Sequence, residues 1–275
     1  MTIKSIFEIK NKKFPKLQPI KEIQQIRIPK LIDDIPNRNG FIWVLSGSGG
    51  SGKSNCYLNF FRSNQLYRGK FHNIYFFCPM SSFLSVEKHP LEKLENIYHD
   101  LTVQNLEYVF KDLNSKKADY LQSVEKQKKR KMSKREIFLF DDDDYEEEEE
   151  EEEKELQYSI CIIDDFADAL KDIDIQKQLS KMLIKSRHLC CAFVFTLQSY
   201  FYFPKILRKQ ITNITIFKPK NAEEWNTIAK ELLNLNQDDG LILYNYVFNE
   251  PYSHLDIDTL TNELFKNFNK LEIEN

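Results

Sequence analysis

Glycine is scarce in this chain: seven residues in 275, four of them between positions 47 and 52. Backbone that needs positive φ is cheap only at glycine, so this cluster is a local device and not one flexible linker among many. Long apolar runs are also missing. None approaches the ~18 residues of a helical membrane span, and MTIKSIFEIKNKK at the start lacks the apolar middle of a signal peptide. We expect a soluble, intracellular protein with no membrane segment. Cysteines are few and scattered (Cys56, Cys78, Cys161, Cys190, Cys191), without a CxxC pair. A disulfide framework or zinc site is therefore not expected, and buried free thiols are.

A general surplus of positive charge is lacking too. Positions 141–144 and 146–153 hold twelve of the 42 acidic residues, which sets the net charge of −3. Residues 114–156 carry ten Lys/Arg against sixteen Asp/Glu, residues 1–30 eight against two, and the remainder 21 against 24. Any nucleic-acid contact by the core must then come from a local patch, because the overall composition carries no basic footprint. What the chain does have is apolar mass. Hydrophobic residues make up 41%, with 21 Phe and 13 Tyr, enough for one large domain.

The glycines belong to FIWVLSGSGGSGKSNCYLNFF, residues 41–61, which reads as strand, turn and helix. Gly47, Ser48, Gly49, Gly50, Ser51, Gly52, Lys53 and Ser54 spell GSGGSGKS, a full match to the phosphate-binding loop G-x-x-x-x-G-K-[ST]. Glycine lets bare N–H groups wrap a polyphosphate, and the helix that follows, from Ser54 and Asn55 onward, turns its N-terminal end to the anion. Lys53 is placed to reach the β- and γ-phosphates of ATP, and the Ser54 hydroxyl to ligate Mg²⁺.

Order along the chain supports an α/β domain with a mainly parallel sheet. Residues 1–30 are basic and spaced by Pro15, Pro19 and Pro29. They read as an N-terminal arm, part extended, lying on the domain, on a neighbouring subunit or on a polyanion, or else as a loose tail. Residues 31–275 form the ATPase domain. A second strand is expected over 74–78, then helices over 91–97 and 103–113. Residues 114–156, crowded with lysine and then DDDDYEEEEEEEE, read as a disordered insertion in a surface loop. A buried strand over 158–163 ends in Asp164 and Asp165, an apolar run plus acid of the Walker B kind. Asp164 would hold Mg²⁺ and Asp165 act on the attacking water. Discounting the insertion, the interval from Lys53 to Asp164 falls from 111 to 68 residues, ordinary for such a domain.

A helix over 175–185 leads through SRH into CAFVFTLQSY, a strand whose carboxyl end carries Thr196, Gln198 and Ser199. Ligands collect at such ends, so Gln198 is placed to sense the γ-phosphate or orient water, or it simply closes a surface strand. A short helix, a strand over 214–218 and an amphipathic helix over 221–235 follow. The pattern then predicts a last strand over 241–247 and a closing helix.

Together GSGGSGKS at 47–54, ICIIDDF at 160–166, SRH at 186–188 and FVFTLQSYFYFPKILRKQITNI at 193–214 resemble the DNA-packaging ATPases of large double-stranded DNA viruses and virophages, the poxvirus-like branch of the FtsK/HerA superfamily. The resemblance implies an additional-strand, RecA/FtsK-like P-loop NTPase fold with helices flanking the sheet. It also implies an ATP- and Mg²⁺-dependent motor that threads double-stranded DNA into a capsid as a homo-oligomeric ring at the portal vertex. Such a protein works in a viral factory in host cytoplasm and can accompany the virion. Rings of this kind complete each site with an arginine from the next subunit. Arg38, Arg187 and Arg208 are candidates, the latter two within the family-like stretches, and each also fits a surface ion pair. One departure stands out: many relatives have Asp-Glu where this chain has Asp164-Asp165. Competing readings are a helicase- or recombinase-type ATPase, a kinase, and a nucleotide-binding switch or virion component. No NKxD motif follows the loop, which disfavours a GTPase.

Overall fold

A computed structural model describes residues 5–8, 36–87, 89–137 and 155–274. In chain order come β1 (Ser5–Glu8), β2 (Ile42–Ser46), α1 (Lys53–Arg62), β3 (Asn73–Phe77), α2 (Met80–Leu84), β4 (Ile97–Tyr98) and α3 (Val103–Ile137). Then follow β5 (Ser159–Asp164), α4 (Ile173–Ile184), β6 (Cys191–Leu197), α5 (Lys205–Arg208), β7 (Asn213–Phe217) and α6 (Ala222–Leu233). The chain ends with α7 (Gln237–Val247), β8 (His254–Asp258), β9 (Glu263–Lys266) and β10 (Asn269–Glu274).

All ten described strands join one sheet in the order β1-β10-β9-β8-β7-β2-β6-β5-β3-β4. The block from β7 to β4 is parallel, and β8, β9, β10 and β1 add antiparallel strands at one side. Strand β6 lies between the P-loop strand β2 and the acid-tipped strand β5. That inserted strand defines the additional-strand arrangement.

Both faces of the parallel block are buried, so its strands are mostly apolar, with a few polar residues such as Ser46, Asp164, Thr196 and Thr215, and they alternate in which core they enter. Ile42 and Val44 of β2, with Phe193 and Phe195 of β6, face α3, α4, α6 and α7. Trp43 and Leu45 of β2, with Ala192 and Val194 of β6, face α1 and its aromatic residues Tyr57, Phe60 and Phe61.

Four expectations are corrected. Residues 241–247 are helical, not a strand. Asn236 caps α7 by accepting a hydrogen bond from the Asp239 N–H, and Leu243 and Val247, one turn apart, are buried while Leu241 and Ile242 are exposed. A cap and an i,i+4 pair outweigh the strand-like run LILYNYV. The closing segment is strand, not helix. Asn267 and Phe268 both take positive φ (52° and 63°) between β9 and β10, the two-residue hairpin geometry that matches strand twist. Residues 91–97 form turns leading into β4 rather than a helix, following Pro90. Finally, α3 does not stop at 113 but continues to Ile137, through the first part of the charged segment. That stretch is rich in lysine and free of Gly and Pro, so propensity carries it on after the buried face ends at Leu113. Residues 138–154 lie outside the described residues. So does most of the arm, except that Ser5–Glu8 pairs with β10 at the sheet edge.

Candidate active site

The P-loop sits where β2 meets α1. Gly52 has φ +103° and Gly50 +76°, values that side chains rarely tolerate. Gly47 is required for a different reason, since a β-carbon there would stand 2.6 Å from Phe217 Cβ. The Gly47 N–H donates to the Leu197 carbonyl at 3.0 Å, tying the loop to the end of β6. Lys53 Nζ donates to the carbonyls of Gly47 (2.6 Å) and Ser48 (3.0 Å), which arches the loop and leaves one ammonium hydrogen for a ligand. Burial depresses the Lys53 pKa, and the charges of Asp164 and Asp165 partly offset this.

Asp164 ends β5 and is buried. Its Oδ2 accepts from the Tyr57 hydroxyl at 2.8 Å, and its Oδ1 accepts from the Thr196 hydroxyl. Tyr57 is on α1 and Thr196 on β6, so the acid is fixed from the P-loop helix and from the inserted strand at once. Burial raises the Asp164 pKa; the hydrogen bonds from Thr196 and Tyr57 work against it, while neighbouring Asp165 adds to the rise.

Asp165 is exposed and takes φ +60°, a left-handed conformation that costs roughly 1 kcal/mol or more outside glycine. Its N–H donates to Thr196 Oγ1 at 3.1 Å, which holds the bend. The carboxylate then points out of the sheet. Gln198 Nε2 donates to Asp165 Oδ1 at 3.3 Å, and Ser82 of α2 donates to Oδ2 at 3.4 Å.

The structure thus brings together Lys53, Ser54, Asp164, Asp165 and Gln198 at the carboxyl edge of β2, β5 and β6. For Mg²⁺ the donor set fits: the Ser54 hydroxyl, which bonds no other described group, and the Asp164 carboxylate are hard oxygen ligands. Sequence reasoning missed Tyr57, Thr196 and Ser82 as supports of the two acids. Thr196 had a visible signal in its place near the end of β6, whereas Tyr57 reads only as a core aromatic.

The arginines separate. Arg208 is spent within its own chain: Nη1 pairs with Glu231 at 3.0 Å, Nε donates to the Phe203 carbonyl at 3.0 Å, and the guanidinium lies 4.3 Å over the Tyr200 ring. Its side chain is 8% exposed. Arg38 pairs with Asp258 at 3.4 Å. Arg187 is exposed, before β6 at the edge of the sheet opposite the P-loop, and among the described residues no side-chain partner holds it.

This fold and this site define a P-loop NTPase of the additional-strand, RecA/FtsK-like class. No protein-family model and no curated protein matches the chain. Solved structures do share its fold. One is B204, the DNA-packaging ATPase from Sulfolobus turreted icosahedral virus, with 15% identity and a TM-score of 0.52 over 82% of this chain and 96% of that one. A second is EssC (ATPases 2 and 3) from Geobacillus thermodenitrificans, with 18% identity and a TM-score of 0.52 over 85% of this chain and 39% of that one. A third is the pCW3 conjugation coupling protein TcpA, with 16% identity and a TM-score of 0.50 over 79% and 57%. At these identities the likeness is one of fold alone.

Proposed function

We propose that this chain is an ATPase that drives double-stranded DNA into a viral capsid, working as a homo-oligomeric ring at the portal. The observation that carries the reading is the Gln198–Asp165 contact at 3.3 Å, made across from the P-loop by a strand inserted between β2 and β5. Correspondence of fold along 96% of a DNA-packaging ATPase supports it.

In this reading the N–H groups of residues 47–55 and the Lys53 ammonium hold the triphosphate. Ser54 and Asp164 would hold Mg²⁺, which when bound neutralises charge on the β- and γ-oxygens. Asp164 stays in place through Tyr57 and Thr196. Asp165 accepts the proton of the attacking water, and Gln198 orients that water and registers the γ-phosphate. Arg187 of each subunit completes the site of its neighbour. After Gln198 the chain exposes Phe201, Tyr202 and Ile206 beside Lys205 and Lys209, a surface joined directly to the sensor strand whose two lysines can meet the phosphates of duplex DNA.

The test is steady-state ATP hydrolysis with and without linear double-stranded DNA, with Lys53→Ala as the blank. We expect stimulation by DNA that weakens as salt rises, because phosphate contacts release counterions. Turnover in the wild type that DNA never alters, with portal protein present or absent, would sink the motor reading and favour a switch or a kinase.

A further inference from the structure

Glu224 is a buried carboxylate that the phosphate chemistry does not use. It stands near the start of α6, which Asn221 caps by accepting from the Glu224 N–H at 2.8 Å. A glutamate at that spacing commonly turns back to the N–H of the cap residue. This one reaches across to the segment that follows β6. Its Oε1 accepts from the Ser199 hydroxyl at 2.7 Å and from the Tyr200 N–H at 2.8 Å.

Glu224 is 7% exposed, and among the described residues no lysine, arginine or histidine forms an ion pair with it. A carboxylate taken out of water without a cation is costly. Trp225, Ile228 and Ala229 are buried on the same helix, so packing alone is served better by an apolar residue. The two hydrogen bonds account for the acid.

What they hold is the residue just before them. Strand β6 ends at Leu197, whose carbonyl accepts from the Gly47 N–H of the phosphate loop. Gln198 is exposed and comes next, followed by Ser199 and Tyr200. It is suspended between two anchors, the P-loop on one side and α6 on the other. Its own bond to Asp165, at 3.3 Å, is already long, and a hydrogen bond weakens steeply once bent or stretched further. A small shift of Ser199 therefore loses it.

We infer that Glu224 is a positioning residue for ATP hydrolysis, acting through Gln198 by keeping that amide in reach of Asp165. This rests on the reading of Gln198 as the γ-phosphate sensor.

The experiment measures kcat with linear double-stranded DNA present, equilibrium ATP binding and thermal melting for Gln198→Ala, Glu224→Ala, Glu224→Gln and the double variant Gln198→Ala/Glu224→Ala. Expected is a fall in kcat of about tenfold to a hundredfold in Glu224→Ala, the scale of a reacting group displaced by about 1 Å, with ATP binding unchanged. Glu224→Gln, whose amide oxygen still accepts both bonds, restores kcat. In the double variant kcat falls no further than in Gln198→Ala alone, because the two residues act by one route; independent structural defects would multiply. Glu224→Ala at wild-type kcat, losses that multiply, or a fall in ATP affinity matching that in kcat overturns the inference. If Glu224→Ala does not fold, Ser199→Ala, which removes one of the two donors, takes its place in the same cycle. Gln198→Ala at wild-type kcat overturns instead the sensor reading on which the inference rests.

Discussion

In the proposed reading Asp164 must stay ionised to hold Mg²⁺, yet burial pushes its pKa up from 3.8. A carboxyl whose folded pKa is raised binds its proton more tightly folded than unfolded. Stability is therefore fullest below the unfolded value and falls as pH rises through the folded one, leaving the ionised group a net burden at neutral pH. Asp164→Asn removes that burden while an amide still meets Tyr57 and Thr196. It should melt a few degrees above the wild type near pH ~7, since about 1 kcal/mol moves Tm by about 2–4 °C at this size. The gain should shrink on acidification, and ATP turnover should be lost. A calorimetric scan across pH checks this; a lower Tm near neutrality would show that the paired carboxylate stabilises the site. Thr196 supplies the hydrogen bond that most opposes the rise. Thr196→Val should move the acid limb of the turnover profile to higher pH, and Thr196→Ser should restore it.

Among the elements, α3 divides at Leu113. Leu106, Val109 and Leu113 are buried against the sheet, whereas Leu121, two turns on, is 50% exposed. Leu113→Ala should cost about 2–5 kcal/mol in urea unfolding, as a cavity in a packed core does, and Leu121→Ala within about 0.5 kcal/mol. Equal losses would mean that the distal helix packs as part of the core. The same helix marks where pattern reading stopped short, because composition at residue 114 signals solvation and does not distinguish a solvated helix from a solvated coil. The parallel strands were legible, since an apolar run bounded by Gly, Pro or acid admits few alternatives. Residues 241–247 were not. Their β-branched and aromatic side chains suit either period, and only the Asn236 cap and the packing of Gly240 on Trp225 and Ala229 decide. The site divides in the same way. Lys53, Ser54, Asp164, Asp165 and Gln198 lie on local motifs, whereas the Tyr57 hydroxyl reaches Asp164 across 107 positions of chain, a link that only folding creates.

At the scale of the whole molecule, the ring reading turns on which arginine reaches a neighbour. An arginine acting between subunits must be free within its own, and its guanidinium must face outward. Arg208 fails on both counts, with its side chain 8% exposed and bonded to Glu231 and Phe203; Arg38 is half-committed to Asp258; Arg187 is exposed, and no side chain among the described residues holds it. Its place at the sheet edge opposite the P-loop fits a head-to-tail ring, where one subunit offers its phosphate loop and the next offers a different face. Complementation between inactive chains follows from that geometry. Arg187→Ala and Lys53→Ala should each be nearly inert alone, but their equimolar mixture should regain DNA-dependent ATP hydrolysis. In a mixed ring some interfaces join the intact Lys53 of one chain to the intact Arg187 of the other. Arg208→Ala should behave differently, lowering the melting temperature by freeing the segment after Gln198 from α6 and showing no rescue when mixed. A mixture of Arg187→Ala and Lys53→Ala no more active than its parts would place the completing group elsewhere.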